Sequence, residues 1–146
     1  MTLHFPDANI LIYCLREEAP GHPACLRWLK TLTQLGEPLA LCELVEIAFL
    51  RITTLPSLRI APIDAALEFW NDLKRYPETL RLVPGARHGE IFQKLVRSHR
   101  LTGNDLNDAW LAALAIEHDA TLVTADVGFA RFSGLHTSNP LLTSPQ

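Results

Sequence analysis

The chain has 146 residues, of which 48% are apolar and 20% charged, and its formal net charge is −3. This length suits one domain of common size, and the composition excludes an intrinsically disordered chain. The net negative charge argues against a protein that coats nucleic acid by bulk attraction, although brief contact at one site is compatible with it.

Charge is spread along the sequence, and no uncharged stretch is long enough to span a membrane. The N-terminus lacks the basic and then apolar segments of a signal peptide. We therefore expect a soluble, cytoplasmic protein without membrane contact. The cysteines Cys14, Cys25 and Cys42 are odd in number and lack CxxC spacing, so we expect buried, reduced thiols.

Short apolar runs alternate with helical patterns along the chain. In chain order we predict a strand at 3–6, helices at 10–15 and 23–35, a strand at 39–42, helices at 43–53 and 64–75, a strand at 79–83, helices at 91–99 and 106–118, and a strand at 121–124. Residues 126–142 are expected to hold a helical turn at 127–132 and a last edge strand, and 137–146 to form that strand or a loose tail. The alternation indicates an α/β fold with a mostly parallel central sheet of about four to five strands flanked by helices.

Four acidic residues lie where a short apolar run meets the next segment. Asp7, Glu43 and Asp126 follow predicted strands, and Asp108 lies about one turn inside a helix rich in small residues. The carboxyl ends of parallel strands meet at one edge of a sheet, so these side chains can converge in one crevice. Carboxylates gathered in this way repel one another unless a cation is bound, and their oxygens suit Mg²⁺ or Mn²⁺.

Each acid taken alone also has an ordinary structural explanation. Asp7 can cap a helix, Asp126 can be a turn residue, and Glu43 can lie on a solvated face or in an ion pair. Asp105 or Asn104 can cap the helix that contains Asp108, with Asp105 the more usual cap, and Glu46 is expected to be a bystander. A shared site is favoured because independent caps have no reason to follow three of the strands and also to lead the one long helix of small residues.

Other catalytic patterns are missing from the sequence. There is no GxGxxG, Walker-type loop, GxSxG or HExxH motif, so nucleotide cofactors, covalent acyl chemistry and a histidine zinc site lose most of their support. Arginines and lysines are scattered, and the sequence alone does not identify those that touch phosphates. Aromatic residues are expected in the core and not as base-stacking platforms.

At these acids the chain resembles PIN-domain proteins, specifically the VapC-type toxins of bacterial toxin–antitoxin pairs. The resemblance covers nearly the whole chain, from Phe5-Pro6-Asp7-Ala8-Asn9 to Phe129-Ala130-Arg131-Phe132. Its most specific parts are Glu43-Leu44-Val45 with Phe49-Leu50-Arg51-Ile52-Thr53, Gly103-Asn104 followed by Asp108-Ala109 and Leu111-Ala112-Ala113-Leu114-Ala115, and Thr121-Leu122-Val123-Thr124-Ala125-Asp126 before Phe129. The family often has a second acid two residues after the one that matches Asp126, and here that residue is Gly128. It often has His where this chain has Trp110.

The resemblance implies a single PIN-like domain over residues 1–146 and an endoribonuclease that depends on Mg²⁺ or Mn²⁺. The implied site residues are the catalytic acids Asp7, Glu43, Asp108 and Asp126, of which Asp7, Asp108 and Asp126 bind metal, with Asn9, Asn104 and Thr124 as supporting groups. The implied partners are an RNA substrate, a VapB-like antitoxin that blocks the acidic groove, and a second copy of the chain in a homodimer.

Three other functions remain open at this point. The chain can be a PIN-fold binding module without catalysis, or a housekeeping RNA-processing nuclease. A phosphatase of the haloacid-dehalogenase type also begins with an acid after its first strand. That class needs a second Asp two residues later, where this chain has Asn9.

Overall fold

A parallel sheet lies at the centre of the structure, a computed structural model that describes residues 1–142. Its five strands are β1 (His4–Pro6), β2 (Leu39–Leu41), β3 (Thr79–Arg81), β4 (Thr121–Val123) and β5 (His136–Ser138). They lie in the order β3-β2-β1-β4-β5, and every neighbouring pair is parallel. The predicted α/β fold with a mostly parallel sheet is confirmed. Residues 143–146 of the predicted tail lie outside the described residues.

Helices connect the strands. They are α1 (Ala8–Leu15), α2 (His22–Gln34), α3 (Glu43–Thr53), α4 (Ile63–Arg75), α5 (His88–His99) and α6 (Asp105–Glu117), with 3-10 helices at Val127–Arg131 and Pro140–Leu142. Helix α5 begins three residues earlier than predicted, because its apolar periodicity starts only at Ile91 whereas its first turn is fixed by a buried His88. The longest helices have 13 residues, and within residues 1–142 no helix has the length and apolar character that crossing a membrane requires.

The strand order sends successive connections to opposite faces of the sheet. From β1 through β2 to β3 the chain moves towards one edge, whereas from β3 it returns past β2 and β1 to β4 and then to β5. Because parallel crossovers are right-handed, α1–α4 cover one face, and α5, α6 and the 3-10 helix Val127–Arg131 lie on the other. The neighbours β1 and β4 therefore lead to opposite faces, and a crevice opens at their carboxyl ends.

Helix α6 has more residues at 0% exposure than any other helix within residues 1–142. Its small side chains pack it closely into the core, and the residues at 0% exposure are Ala109, Ala112, Ala113, Leu114 and Ala115. A helix that is apolar nearly all round is typical of such burial. A crossover helix runs antiparallel to the strands it connects, so the first turn of α6 lies at the edge where the strands end. The fold thereby places Asp108 near the crevice.

The core also contains the residues that the sequence assigned to it. Phe49 and Trp70 are buried and pack against each other with ring centroids 5.9 Å apart, which confirms a core role for both. The three cysteines are free and buried, as predicted. Burial raises the pKa of the Cys14 thiol to about 12, so this thiol stays protonated and unreactive at neutral pH.

Candidate active site

Asp7 lies at the junction of β1 and α1, on the crevice between β1 and β4. Its backbone N–H donates to the Val123 carbonyl at 2.8 Å, which ties the junction to β4. Its Oδ1 accepts a hydrogen bond from the Ala8 N–H at 2.7 Å, so the side chain does cap α1. Its Oδ2 accepts from the Thr124 hydroxyl at 3.1 Å. The cap and the crevice position are therefore two properties of one carboxylate.

Thr124 joins two of the predicted acids. It is buried directly after β4, and its hydroxyl donates to Asp7 while accepting from the Asp126 N–H at 3.0 Å. Asp126 begins the 3-10 helix, and its Oδ1 accepts from the Gly128 N–H at 2.8 Å. One buried hydroxyl thus holds the side chain of Asp7 and the backbone of Asp126 in a fixed relation.

The other two predicted supporting residues differ from each other. The Asn9 side-chain oxygen accepts from the Ala125 N–H at 3.4 Å, which links α1 to the segment after β4. Asn104 is exposed at the N-cap of α6 and makes no side-chain capping bond. Asn9 and Thr124 therefore brace the crevice, whereas the structure shows no such contact for Asn104.

Asp108 faces the same crevice from the first turn of α6. Burial raises the pKa of its carboxyl to about 6, and the negative charges of Asp126 and Asp7 add to that increase. The nearby Arg131 acts in the opposite direction. A half-buried carboxyl with this pKa takes up a proton close to neutral pH, unless a positive charge compensates for it.

Burial likewise raises the pKa of Asp7. The hydrogen bonds from Ala8 and Thr124 oppose this effect, and the charge of Asp126 adds to it. Charges act on one another in this way only over short distances in a partly desolvated site. The structure therefore brings Asp7, Asp108 and Asp126 together, as the strand-end argument predicted.

These three carboxylates fit a hard divalent cation by their chemistry. Within residues 1–142, no group of three or more His, Cys, Asp or Glu side chains is placed so that it could hold a metal ion as it stands. Mg²⁺ seldom needs such a cage, because it keeps several waters and is usually held by one or two carboxylates. A crevice with two half-buried carboxylates, Asp7 and Asp108, and the exposed Asp126 beside them suits that mode of binding.

Glu43 lies on the other side of β1, after β2. Its carboxylate forms an ion pair with Arg81 of β3, and its side chain is 65% exposed. It lines a separate cleft of about 400 Å³ together with Glu46, Trp70 and Lys74. It is not among the charges that chiefly shift the pKa of Asp7 or Asp108. The structure thus groups three of the four predicted acids and shows the fourth in contact with an arginine.

Of the two residues that could cap α6, Asn104 occupies the N-cap position, and Asp105 is the first residue of the helix. The preference for Asp105 as the cap was wrong. Oδ1 of Asp105 lies 3.8 Å from Nη2 of Arg131. Asn and Asp both favour the N-cap position, and here the backbone of α6 turns helical one residue earlier, at Asp105, so that Asn104 is the N-cap.

Arg131 is the site residue that sequence reasoning did not single out. Its Nη2 lies 3.6 Å from Oδ2 of Asp108, although the two residues are far apart in sequence. The available signal was its position in the same short connection as Asp126, five residues later. Charge alone did not distinguish it from the other scattered arginines.

Comparison with known proteins agrees with this geometry. The PIN domain family model matches residues 4–135. The chain belongs to the PIN-domain family. This PIN-domain protein is 36% identical over 137 residues to VapC ribonuclease Mb2897 of Mycobacterium bovis, with 92% of this chain and 93% of that protein covered. It is 32% identical over 136 residues to ribonuclease VapC37 of Mycobacterium tuberculosis, with 92% and 94% covered. The predicted VapC-type resemblance is confirmed.

Solved structures show the same fold. The PIN-domain chain matches a chain of VapBC2 from Rickettsia felis, crystallised with a fragment of promoter DNA, with a TM-score of 0.69 at 19% identity. The match covers 94% of this chain and 98% of that one. VapBC-1 from nontypeable Haemophilus influenzae gives a TM-score of 0.68 at 18% identity, with 96% and 99% covered. At these identities the match supports the fold alone.

The raised pKa of Asp108, caused first by burial and then by the charges of Asp126 and Asp7, predicts that Asp108→Asn stabilises the metal-free PIN domain. The folded pKa of about 6 lies above the ordinary Asp value of about 3.9, so wild type loses stability as pH rises from about 4 to about 6. After allowance for solvent screening, we expect a gain of up to about 1 kcal/mol at about pH 7.5 and almost none at about pH 4. Urea unfolding in EDTA measures both values.

Asp119→Asn is the matched control, because Asp119 is exposed between α6 and β4, at the amino end of the strands and away from the crevice. Its positive φ of 53° is a conformation that Asn also adopts readily. We expect no pH-dependent gain from this change. An Asp108→Asn variant that is less stable than wild type at about pH 7.5 would contradict a repulsive crevice.

Proposed function

We propose that this PIN-domain protein is a ribonuclease dependent on Mg²⁺ or Mn²⁺, and that it is the toxin of a toxin–antitoxin pair in the cytoplasm. The observation that carries the proposal is the convergence of Asp7, Asp108 and Asp126 in the crevice between β1 and β4. Two relatives named ribonucleases, each matched over nearly its whole length, support the choice of RNA as substrate.

In this proposal Asp7 and Asp108 bind the cation directly. The bonds from Ala8 and Thr124 orient the Asp7 carboxylate, and each of its oxygens keeps a further lone pair for a ligand. Oδ2 of Asp108 lies 3.6 Å from Nη2 of Arg131, which is beyond hydrogen-bond length, so this contact leaves the oxygen able to bind a cation. Asp126, whose Oδ1 accepts a hydrogen bond from the Gly128 N–H, acts on the cation through a bound water.

A divalent ion in this crevice would supply a coordinated water of lowered pKa and offset negative charge on the phosphate oxygens. The protein's own contribution is to hold the carboxylates in place. Thr124 keeps Asp7 and the Asp126 backbone together, and Asn9 fixes the chain at Ala125. Such supporting hydrogen bonds orient the groups that bind metal.

We assign Glu43 an assisting role, either as a further ligand or as the acceptor of a proton from the attacking water. That role requires its carboxylate to leave Arg81. Exposed ion pairs are worth roughly 0–1 kcal/mol, so this separation costs little. The Arg81 contact is therefore compatible with a Glu43 that turns towards the crevice when RNA is bound.

The proposed partners are an antitoxin and a second copy of the chain. The support comes from the relatives: the similar solved structures are VapBC assemblies, one of them crystallised with promoter DNA. We propose that a VapB-like peptide covers the acidic crevice with a basic side chain, and that the toxin is a homodimer. A basic group complements the three carboxylates by charge.

Asp7→Asn is expected to lower RNA cleavage about 100-fold or more, because it removes a metal ligand without changing side-chain size. The measurement is the initial rate on a pool of labelled single-stranded RNAs of random sequence with Mn²⁺ present. Asp119→Asn serves as the control and should cleave like wild type. Cleavage by Asp7→Asn at the wild-type rate would show that the assignment of the site is wrong.

Growth separates a toxin from a housekeeping nuclease. We expect induced expression of wild type to arrest growth of a bacterial host, and Asp7→Asn to leave growth normal. Co-expression of a small DNA-binding protein encoded next to this gene should relieve the arrest. If an active nuclease leaves growth unchanged, the toxin assignment fails and the housekeeping alternative takes its place.

A further inference from the structure

Arg131 approaches the acidic crevice from the connection between β4 and β5. The 3-10 helix Val127–Arg131 lies on the same face of the sheet as α6, which brings its last residue over the first turn of that helix. Nη2 of Arg131 lies 3.6 Å from Asp108 and 3.8 Å from Asp105. The fold therefore places one cationic side chain beside the carboxylates that are proposed to bind metal.

This arginine is held in place without using its hydrogen-bond donors. Both carboxylate distances exceed hydrogen-bond length, and its N–H groups bond to no other group within residues 1–142. By contrast, Arg75 donates to Asp72 at 2.7 Å, and Arg16 to Glu18 at 3.0 Å, on exposed surfaces. Arg131 differs from these ordinary ion pairs in keeping its donors available.

Two neighbours fix the position of the guanidinium. Its central carbon lies 4.7 Å from the ring centroid of Phe132, which is buried and packs edge-on against His99. On the other side, Gly128 leaves room for it, since a Cβ at that position would lie 3.2 Å from Nη1 of Arg131 and 3.1 Å from Asp126. The guanidinium is therefore located by packing, while its donors face the crevice.

We propose that Arg131 is a phosphate-binding residue of this site. While the crevice is empty, its guanidinium offsets the charge of Asp108, and when substrate is bound it donates hydrogen bonds to the RNA phosphate. The inference rests on the proposed ribonuclease function and adds a named contact to the substrate. An arginine offers planar paired donors to phosphate oxygens, which lysine does not. Beside three aspartates, a cationic side chain would attract the phosphate in addition to the proposed metal ion.

The proposal has a signature that a purely structural role does not share. The Arg131 guanidinium and a divalent ion both compete for Asp108, so removal of the guanidinium should strengthen metal binding. The same removal should weaken RNA binding, because a charge-assisted bond to phosphate is lost. A structural residue would weaken both when removed, since the crevice would lose its shape.

The test compares Arg131→Gln and Arg131→Lys with wild type. Mn²⁺ affinity is measured by calorimetry without RNA. RNA affinity is measured by fluorescence anisotropy on a labelled single-stranded RNA of mixed sequence, with Ca²⁺ in place of Mn²⁺ and intact RNA verified afterwards on a gel. For Arg131→Gln we expect Mn²⁺ binding several-fold tighter and RNA binding about tenfold weaker. Both affinities of Arg131→Lys should lie between those of wild type and Arg131→Gln, because lysine keeps the positive charge but lacks the planar, paired donors of arginine.

Arg75→Gln is the matched control, because it removes the same charge from an exposed arginine–aspartate pair. That pair lies at the end of α4, at the amino end of the strands and away from the crevice. Both affinities of Arg75→Gln should equal those of wild type. RNA affinity of Arg131→Gln within twofold of wild type, or a parallel loss of metal and RNA binding, overturns the inference. If wild type itself binds neither Mn²⁺ nor RNA, the ribonuclease proposal fails and the role of Arg131 fails with it.

Discussion

Repulsion among three aspartates in one crevice is the interaction on which the rest of the site depends. Asp7 follows β1, Asp126 follows β4, and Asp108 lies in the first turn of α6. Each is held near the crevice by backbone that the sheet and the core fix. Burial is the main cause of the raised pKa of Asp7 and Asp108, and the charges of neighbouring aspartates add to it. Keeping these carboxylates ionised costs free energy, and a positive charge bound in the crevice would lower that cost.

Two arginines meet the acids from opposite sides. Arg131 lies beside Asp108 on the face covered by α6, and Arg81 pairs with Glu43 on the side of β3. Both contacts join residues from different connections, and both are at least partly exposed. Loose contacts of this kind stabilise a fold little and can be exchanged at low cost for other charged groups. A protein with net charge −3 can in this way approach a phosphate without a broad basic surface.

The fold was largely predictable because local patterns determine it. The alternation of short apolar runs with helical periodicity predicted β1 to β4 and all six helices within a few residues. The three converging aspartates were also predictable, since strand ends in a parallel sheet share one edge. These features depend on the order of elements along the chain, which a sequence displays directly.

The remaining details depend on contacts between distant segments. Nothing near Glu43 in the sequence indicates that Arg81 will pair with it, because the parallel register of β2 and β3 brings them together. The role of Arg131 needs the path of the β4–β5 connection, and the choice between Asn104 and Asp105 as N-cap needs the backbone angles of α6. Pairings of this kind are set by tertiary structure and not by local propensity.

Diffraction from crystals grown with Mn²⁺ tests the central claim most directly. The account predicts an anomalous peak in the crevice between β1 and β4, about 2.0–2.3 Å from carboxylate oxygens of Asp7 and Asp108, and no such peak in crystals of Asp7→Asn. A map with no peak in the crevice, or with a peak only in the cleft of Glu43 and Glu46, would contradict it.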